Sequence, residues 1–124
     1  MEKKKLLSEV KTSYYSDTSV EQVLDRMPYP QNVRIYKGYF PDTAIGIKEK
    51  FCFVRIDVDL YSPTVAALEF FHSLMVHGGC IVVHDYFGES YKGIRRAVAE
   101  YLENHLELSK IPIGDMLSIA IVGY

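Results

Sequence analysis

The segment FCFVRIDVD at residues 51–59 decides the fold expected for this chain of 124 residues. Its first six residues are almost continuously apolar, interrupted only by Arg55, which is typical of a strand covered on both faces. The segment GGCIVVHDY at 78–86 has the same form, because an apolar strand at 80–83 ends in ionisable residues. The two segments predict two central strands of one sheet.

A helix is expected between these strands. Ser62 can cap it, Pro63 suits its first position, and its apolar residues up to His77 cover more than one stripe. Gly78-Gly79 is expected to end it. A strand–helix–strand unit of this length predicts that the two strands are neighbours and parallel.

The remaining segments complete an α/β pattern. A short helix is predicted at the capping-box pair Thr18 and Glu21, followed by a half-buried strand at 33–37. An amphipathic helix is predicted at 94–106, and a closing β-hairpin flanks Gly114-Asp115. We therefore expect a mostly parallel sheet with an antiparallel hairpin at its end.

The composition is that of one small globular domain. The chain is 48% apolar and 24% charged with a net charge of −2, which excludes disorder and favours neither a nucleic-acid nor a membrane partner. No apolar run approaches the roughly 18–20 residues of a membrane span, and no signal-peptide pattern is present. Cys52 and Cys80 lie in the strand segments and are expected to be buried thiols in a reducing cytoplasm. We interpret residues 1–17 as an arm or remnant and 18–124 as the domain.

Ionisable residues follow both central strands. Asp57 and Asp59 end the first strand, and His84 and Asp85 end the second, 27 residues after Asp57. Because ligands bind beyond the carboxyl ends of strands in open α/β sheets, these groups are expected to converge and to hold a divalent cation such as Mg²⁺. The alternative is that each group caps a helix or solvates a loop.

Two further interpretations rest on shorter patterns. Gly38-Tyr39-Phe40 follows the predicted strand at 33–37 and either lets the backbone approach a flat ligand or forms a plain turn. Asp57-Val58-Asp59 also suits a glycosyltransferase, in which it would chelate a metal-bound diphosphate. That function leaves His84 and Asp85 unexplained.

The segments VRIYKGYFPDT at 33–43, FVRIDVDLYSPT at 53–64 and GGCIVVHDY at 78–86, with Lys92-Gly93-Ile94, resemble the macrocin O-methyltransferase family. The resemblance covers residues 16–123. It implies S-adenosylmethionine-dependent, metal-dependent methylation of a sugar or small-molecule hydroxyl. It also implies a class I methyltransferase fold, which is a Rossmann-like sheet ending in an antiparallel hairpin.

The resemblance also implies residue roles. Asp57, His84 and Asp85 match the ligands of Mg²⁺, and Asp57 matches the base that takes the hydroxyl proton. The turn Gly38-Tyr39-Phe40 would line the adenine. Asp59 and Tyr86 are candidates for contact with the substrate or for support of the ligands.

Two features depart from the family pattern. His84 stands where many members carry a carboxylate, and an imidazole suits softer metals than Mg²⁺. The first two strands of the family sheet and their glycine-rich turn have no counterpart, so we expect the carboxyl-terminal part of a methyltransferase, with weak or no activity alone. The strand at 51–57 would then be an open edge that pairs with a second copy or with a separately encoded first half. A non-catalytic interaction module is the alternative function.

Overall fold

In the computed structural model, which describes residues 18–89 and 92–124, the chain divides between Lys37 and Gly38 into two units. The first unit contains helix α1, Val20–Asp25, and a 3₁₀ turn, Pro30–Asn32. A capping box forms between Ser19 and Gln22, one residue later than the sequence predicts. The arm predicted at 1–17 lies outside the described residues.

The strand predicted at 33–37 is wrong. These residues pair with no other strand of the described chain, and Ile35 and Tyr36 are exposed. The alternation of apolar and polar residues fits an extended segment, but a strand also needs a neighbour for its backbone groups.

The second unit contains a four-stranded sheet covered by two helices. Its elements are β1 (Phe51–Ile56), α2 (Tyr61–His72), β2 (Met75–Val83), α3 (Lys92–Glu103), β3 (Ser109–Pro112) and β4 (Ile119–Val122). The strand order is β1-β2-β4-β3, with β1 parallel to β2 and the other two pairs antiparallel. The α/β class and the closing hairpin are confirmed. The parallel part is a single pair, because residues 33–37 do not join the sheet.

The connection from α2 to β2 differs from the prediction. Helix α2 begins after Leu60, without a cap from Ser62, and ends at His72. Gly78 and Gly79 therefore lie inside β2, where the register jumps from Phe51↔Met75 to Phe53↔Cys80. A Cβ on Gly79 would lie 2.9 Å from the Val76 carbonyl oxygen, so the glycine fits a bulge rather than a helix end.

None of the helices within 18–89 and 92–124 has the length and apolar character that a membrane span requires.

The core lies between one face of the sheet and both helices. Its fully buried members include Leu68 of α2, Val98 of α3 and Ile81 of β2. The opposite face of β1 is open, since Phe53 and Arg55 are exposed and alternate with the buried Val54 and Ile56. Coverage of β1 on both faces is thus a wrong prediction, and so is the burial of both cysteines. Cys52 and the half-buried Cys80 are free thiols.

Candidate functional site

The register of the parallel pair places Asp57 beside His84. The last paired residues are Ile56 and Val83, and the His84 N–H donates to the Ile56 carbonyl oxygen at 2.9 Å. Asp57 and His84 are the next residues on each strand. Because neighbouring strands lie about 4.8 Å apart, their side chains meet at the carboxyl edge of the sheet.

Three side chains converge at this edge. His84 Nδ1 lies 3.4 Å from Asp57 Oδ1 and 3.1 Å from Asp85 Oδ2, and one ligating atom from each residue lies within 4.8 Å of the others. The side chain of Asp57 is 45% exposed, whereas those of His84 and Asp85 are 22% and 17% exposed. The predicted convergence is therefore present. His84 and Asp85 are therefore half-buried, whereas the carboxylate of Asp57 is accessible.

The donor atoms fit a divalent cation. His84 Nδ1 is buried and makes no hydrogen bond within the described chain, although both carboxylates are close. A buried polar atom without a partner costs about 1–3 kcal/mol, and coordination of a cation would offset that cost. The two carboxylates favour hard ions such as Mg²⁺ or Mn²⁺, and the imidazole also allows a softer ion such as Zn²⁺.

Two aspartates near the strand ends adopt positive φ. Asp85 has φ +60° and Asp59 has φ +61°. This left-handed conformation costs most side chains roughly 1–2 kcal/mol and is least costly for glycine, Asn and Asp. At Asp85 it belongs to a turn in which the Gly88 N–H donates to the Asp85 carbonyl oxygen at 3.1 Å.

Tyr86 anchors the loop that carries Asp85. Its ring is buried, and its hydroxyl accepts a hydrogen bond from Lys110 Nζ at 3.0 Å. Arg95 Nε donates to the Tyr86 carbonyl oxygen at 3.3 Å. These contacts hold Tyr86 in the interior, so it supports the loop that carries Asp85 and is not accessible to a substrate. Asp59, the other residue predicted beside the ligands, is not part of the three-residue cluster.

Sequence reasoning missed two charged residues of the site. Arg55 Nη2 lies 3.4 Å from Asp57 Oδ2. The period of two along a strand could have identified it, since residues 55 and 57 share a face. Asp115, in the β3–β4 connection, contributes a charge that interacts with His84. No local pattern indicates that this connection reaches the carboxyl edge of β2.

The side chain of Asp115 is held by its own turn. It accepts hydrogen bonds from the backbone N–H groups of Leu117 and Ser118, at 2.9 Å and 2.7 Å. Hydrogen bonds from the Ser118 side chain and from these two N–H groups lower the pKa of Asp115 to about 2. The carboxylate is therefore a fixed negative charge near His84 at neutral pH.

The turn Gly38-Tyr39-Phe40 is not brought to the cluster. The Phe40 ring packs against Phe70 and Phe71, with centroids 5.7 Å and 6.1 Å apart. These residues end α2, about 15 Å along the helix from the end that follows Asp57. Gly38 has φ +143°, and a Cβ there would lie 2.7 Å from Thr43 Cγ2, so this turn requires glycine.

Comparisons with known proteins place the chain in a family. No curated protein is significantly similar to it in sequence. A solved structure described as a "putative rRNA-methylase" from Clostridium thermocellum is similar over 64% of this chain, with 17% identity and a TM-score of 0.48. The chain spans 54% of that structure, about half its length. Residues 4–119 match the family model described as macrocin-O-methyltransferase (TylF). The predicted resemblance is confirmed, and the chain belongs to the macrocin O-methyltransferase family.

Proposed function

We propose that this chain acts in S-adenosylmethionine-dependent O-methylation of a sugar or another small-molecule hydroxyl, with Asp57, His84 and Asp85 as the reactive edge. The observation that carries the proposal is the convergence of these three side chains within 4.8 Å at the ends of two neighbouring parallel strands. Family membership supports methyl transfer. It also favours this function over a glycosyltransferase.

The three residues have different roles in this proposal. His84 and Asp85 are half-buried and would hold a divalent cation such as Mg²⁺ together with Asp57. Such a cation, when bound, lowers the pKa of a hydroxyl that it contacts. Asp57 is the most exposed of the three, so its carboxylate can reach the acceptor and take the proton. Arg55 lies beside that carboxylate, with its Nη2 3.4 Å from Asp57 Oδ2.

Family membership also supports S-adenosylmethionine as the methyl donor. In this proposal the turn Gly38-Tyr39-Phe40 lines the adenine of the methyl donor, and the Phe40 ring packs against the far end of α2.

A transfer assay tests the function. The chain is incubated with methyl-labelled S-adenosylmethionine and a panel of sugars with vicinal hydroxyls, with Mg²⁺, with Mn²⁺ or with a chelator. We expect weak, metal-dependent labelling that falls to background in Asp57→Asn, since a lost general base typically costs about 10²- to 10⁴-fold in rate. Asp59→Asn is the matched control and should retain labelling. Equal labelling by Asp57→Asn, or labelling unaffected by the chelator, would contradict the proposal.

A second candidate function is self-association through β1. This strand is an edge of the described sheet, and edge strands offer unpaired backbone groups to another chain. Phe53 on β1 is 58% exposed, which is unusual for a large apolar side chain at the centre of a strand. A second copy that pairs along β1 would cover both the backbone edge and this ring.

Light scattering on two matched variants tests this candidate. Phe53→Lys should produce monomers from a self-associated wild type. Ile111→Lys should not, because Ile111 is 49% exposed on the opposite edge strand, β3. A monomeric wild type would remove this candidate and leave the methyltransferase proposal unaffected.

A further inference from the structure

A second group of ligating side chains lies at the other end of β2. His72 ends α2, and His105 and Glu107 lie in the connection between α3 and β3. One ligating atom from each residue lies within 4.8 Å of the others. β2 begins three residues after His72 and ends immediately before His84. The length of this strand therefore separates the group from the cluster of Asp57, His84 and Asp85, called the Asp57 cluster below.

The two imidazoles of this group lie against each other. Their ring centroids are 4.0 Å apart and their planes are inclined by 27°. Both histidines are half-buried, whereas the Glu107 side chain is 58% exposed and His105 Nδ1 lies 3.6 Å from its Oε1. An exposed carboxylate beside two half-buried imidazoles can rotate toward an ion without moving the backbone.

A chain of hydrogen bonds fixes the orientation of the His72 ring. His72 Nδ1 lies 2.7 Å from the Tyr101 hydroxyl, which lies 3.0 Å from the Tyr124 hydroxyl. The Tyr101 hydroxyl can donate its proton to the Tyr124 oxygen. The Tyr101 oxygen can then accept from Nδ1–H of His72. This arrangement directs the lone pair of Nε2 away from Tyr101.

Such an arrangement is typical of histidines that bind metals. A ligating imidazole usually donates its second N–H to an oxygen, which fixes the tautomer and the ring orientation.

We propose that His72, His105 and Glu107 form a binding site for a transition-metal ion of the Zn²⁺ class, separate from the Asp57 cluster. Two imidazoles and one carboxylate suit Zn²⁺, Co²⁺ or Ni²⁺ better than Mg²⁺. Tetrahedral ligands of Zn²⁺ lie about 3.3 Å apart, so the side chains close inward from their present spacing. The bound ion would clamp the end of α2 to the α3–β3 connection. The proposal does not depend on methyl transfer.

Thermal denaturation with Zn²⁺ alone tests the proposal. The chelator-treated chain should melt at a higher temperature in micromolar Zn²⁺, because the folded state alone presents all three ligands together. Because the Asp57 cluster can also take Zn²⁺, the shift is measured in Asp85→Asn, which weakens that cluster and should keep the shift from this site. Adding Glu107→Gln or His105→Gln to Asp85→Asn should abolish it, with Zn²⁺ affinity at least about 10-fold weaker, since one ligand is missing. Glu107 is exposed, so its variant should fold normally.

The hydrogen bond between His72 and Tyr101 gives a second test of Zn²⁺ binding. Tyr101→Phe removes the partner of His72 Nδ1 and should weaken Zn²⁺ binding by about 10- to 100-fold, the usual effect of removing such a partner. In the Asp85→Asn chain, Co²⁺ in place of Zn²⁺ should give a visible absorption band that the added Glu107→Gln changes. A wild type without a Zn²⁺ shift would overturn the proposal. So would a shift that Asp85→Asn abolishes and Glu107→Gln keeps.

Discussion

His84 Nδ1 lies 3.4 Å from Asp57 Oδ1, although 27 residues separate them along the chain. The distance follows from the parallel pairing of β1 with β2, whose last register pair immediately precedes both residues. The helical crossover α2 thus brings the ionisable residues that follow β1 and β2 together in one cluster.

The backbone of Asp85 predicts an unusual mutational pattern. Because its φ is +60°, Asp85→Ala should be less stable than Asp85→Gly by roughly 1 kcal/mol, although alanine usually stabilises relative to glycine. Urea denaturation measures the difference. An alanine variant at least as stable as the glycine variant would contradict the left-handed conformation.

Arg55 competes with a cation for Asp57. Replacing it with methionine removes a positive charge 3.4 Å from Asp57 Oδ2 and should tighten Mn²⁺ binding by about 1.4- to 5-fold, the range of an exposed ion pair. Calorimetric titration measures the affinity. Arg26→Met, which removes an equal charge from another exposed position, is the control. Weaker binding by Arg55→Met would show that Arg55 supports the site instead.

Asp115 predicts a loss of stability in acid. Its pKa is about 2 in the folded chain against about 3.9 unfolded, so the stabilisation is present above about pH 4 and is lost as the pH falls through 2. Asp115→Asn should reduce the slope of stability against pH in this window, since asparagine can still accept the turn's hydrogen bonds. Chemical denaturation at several pH values measures the slope. An unchanged slope would contradict the assigned hydrogen bonds.

The two cysteines should react at different rates. Cys52 is exposed on β1, whereas Cys80 is half-buried and burial raises its pKa. A smaller thiolate fraction and a less accessible sulfur both slow the alkylation of Cys80, so Cys52 should be modified first. Mass spectrometry with Cys52→Ser and Cys80→Ser identifies each phase. Faster reaction of Cys80 would contradict the exposure of Cys52 and the partial burial of Cys80.

Local sequence patterns predicted the elements whose packing follows from their own residues. The apolar segment 51–56 and the hairpin around Gly114-Asp115 formed where they were expected. The convergence of Asp57 with His84 also followed, because a crossover of this length favours neighbouring parallel strands.

Features that depend on distant partners were not predictable in this way. The alternating segment at 33–37 carries no information about whether a strand lies beside it. Gly78-Gly79 interrupts a helical pattern and a strand pattern equally, so the bulge in β2 required its register with β1. The exposure of Cys52 depends on which distant residues pack beside β1. The positions of Phe40 and Asp115 depend on tertiary contacts of turns.

Calorimetric titration of Mn²⁺ tests the central claim most directly, since it needs neither an acceptor nor a methyl donor. The wild type and Asp59→Asn should bind one Mn²⁺ with the same affinity at the Asp57, His84 and Asp85 cluster. Asp85→Asn, which preserves shape and tolerates positive φ, should bind at least about 10-fold more weakly. Equal Mn²⁺ affinity in the wild type and Asp85→Asn would contradict the claim that these strand ends form a metal site.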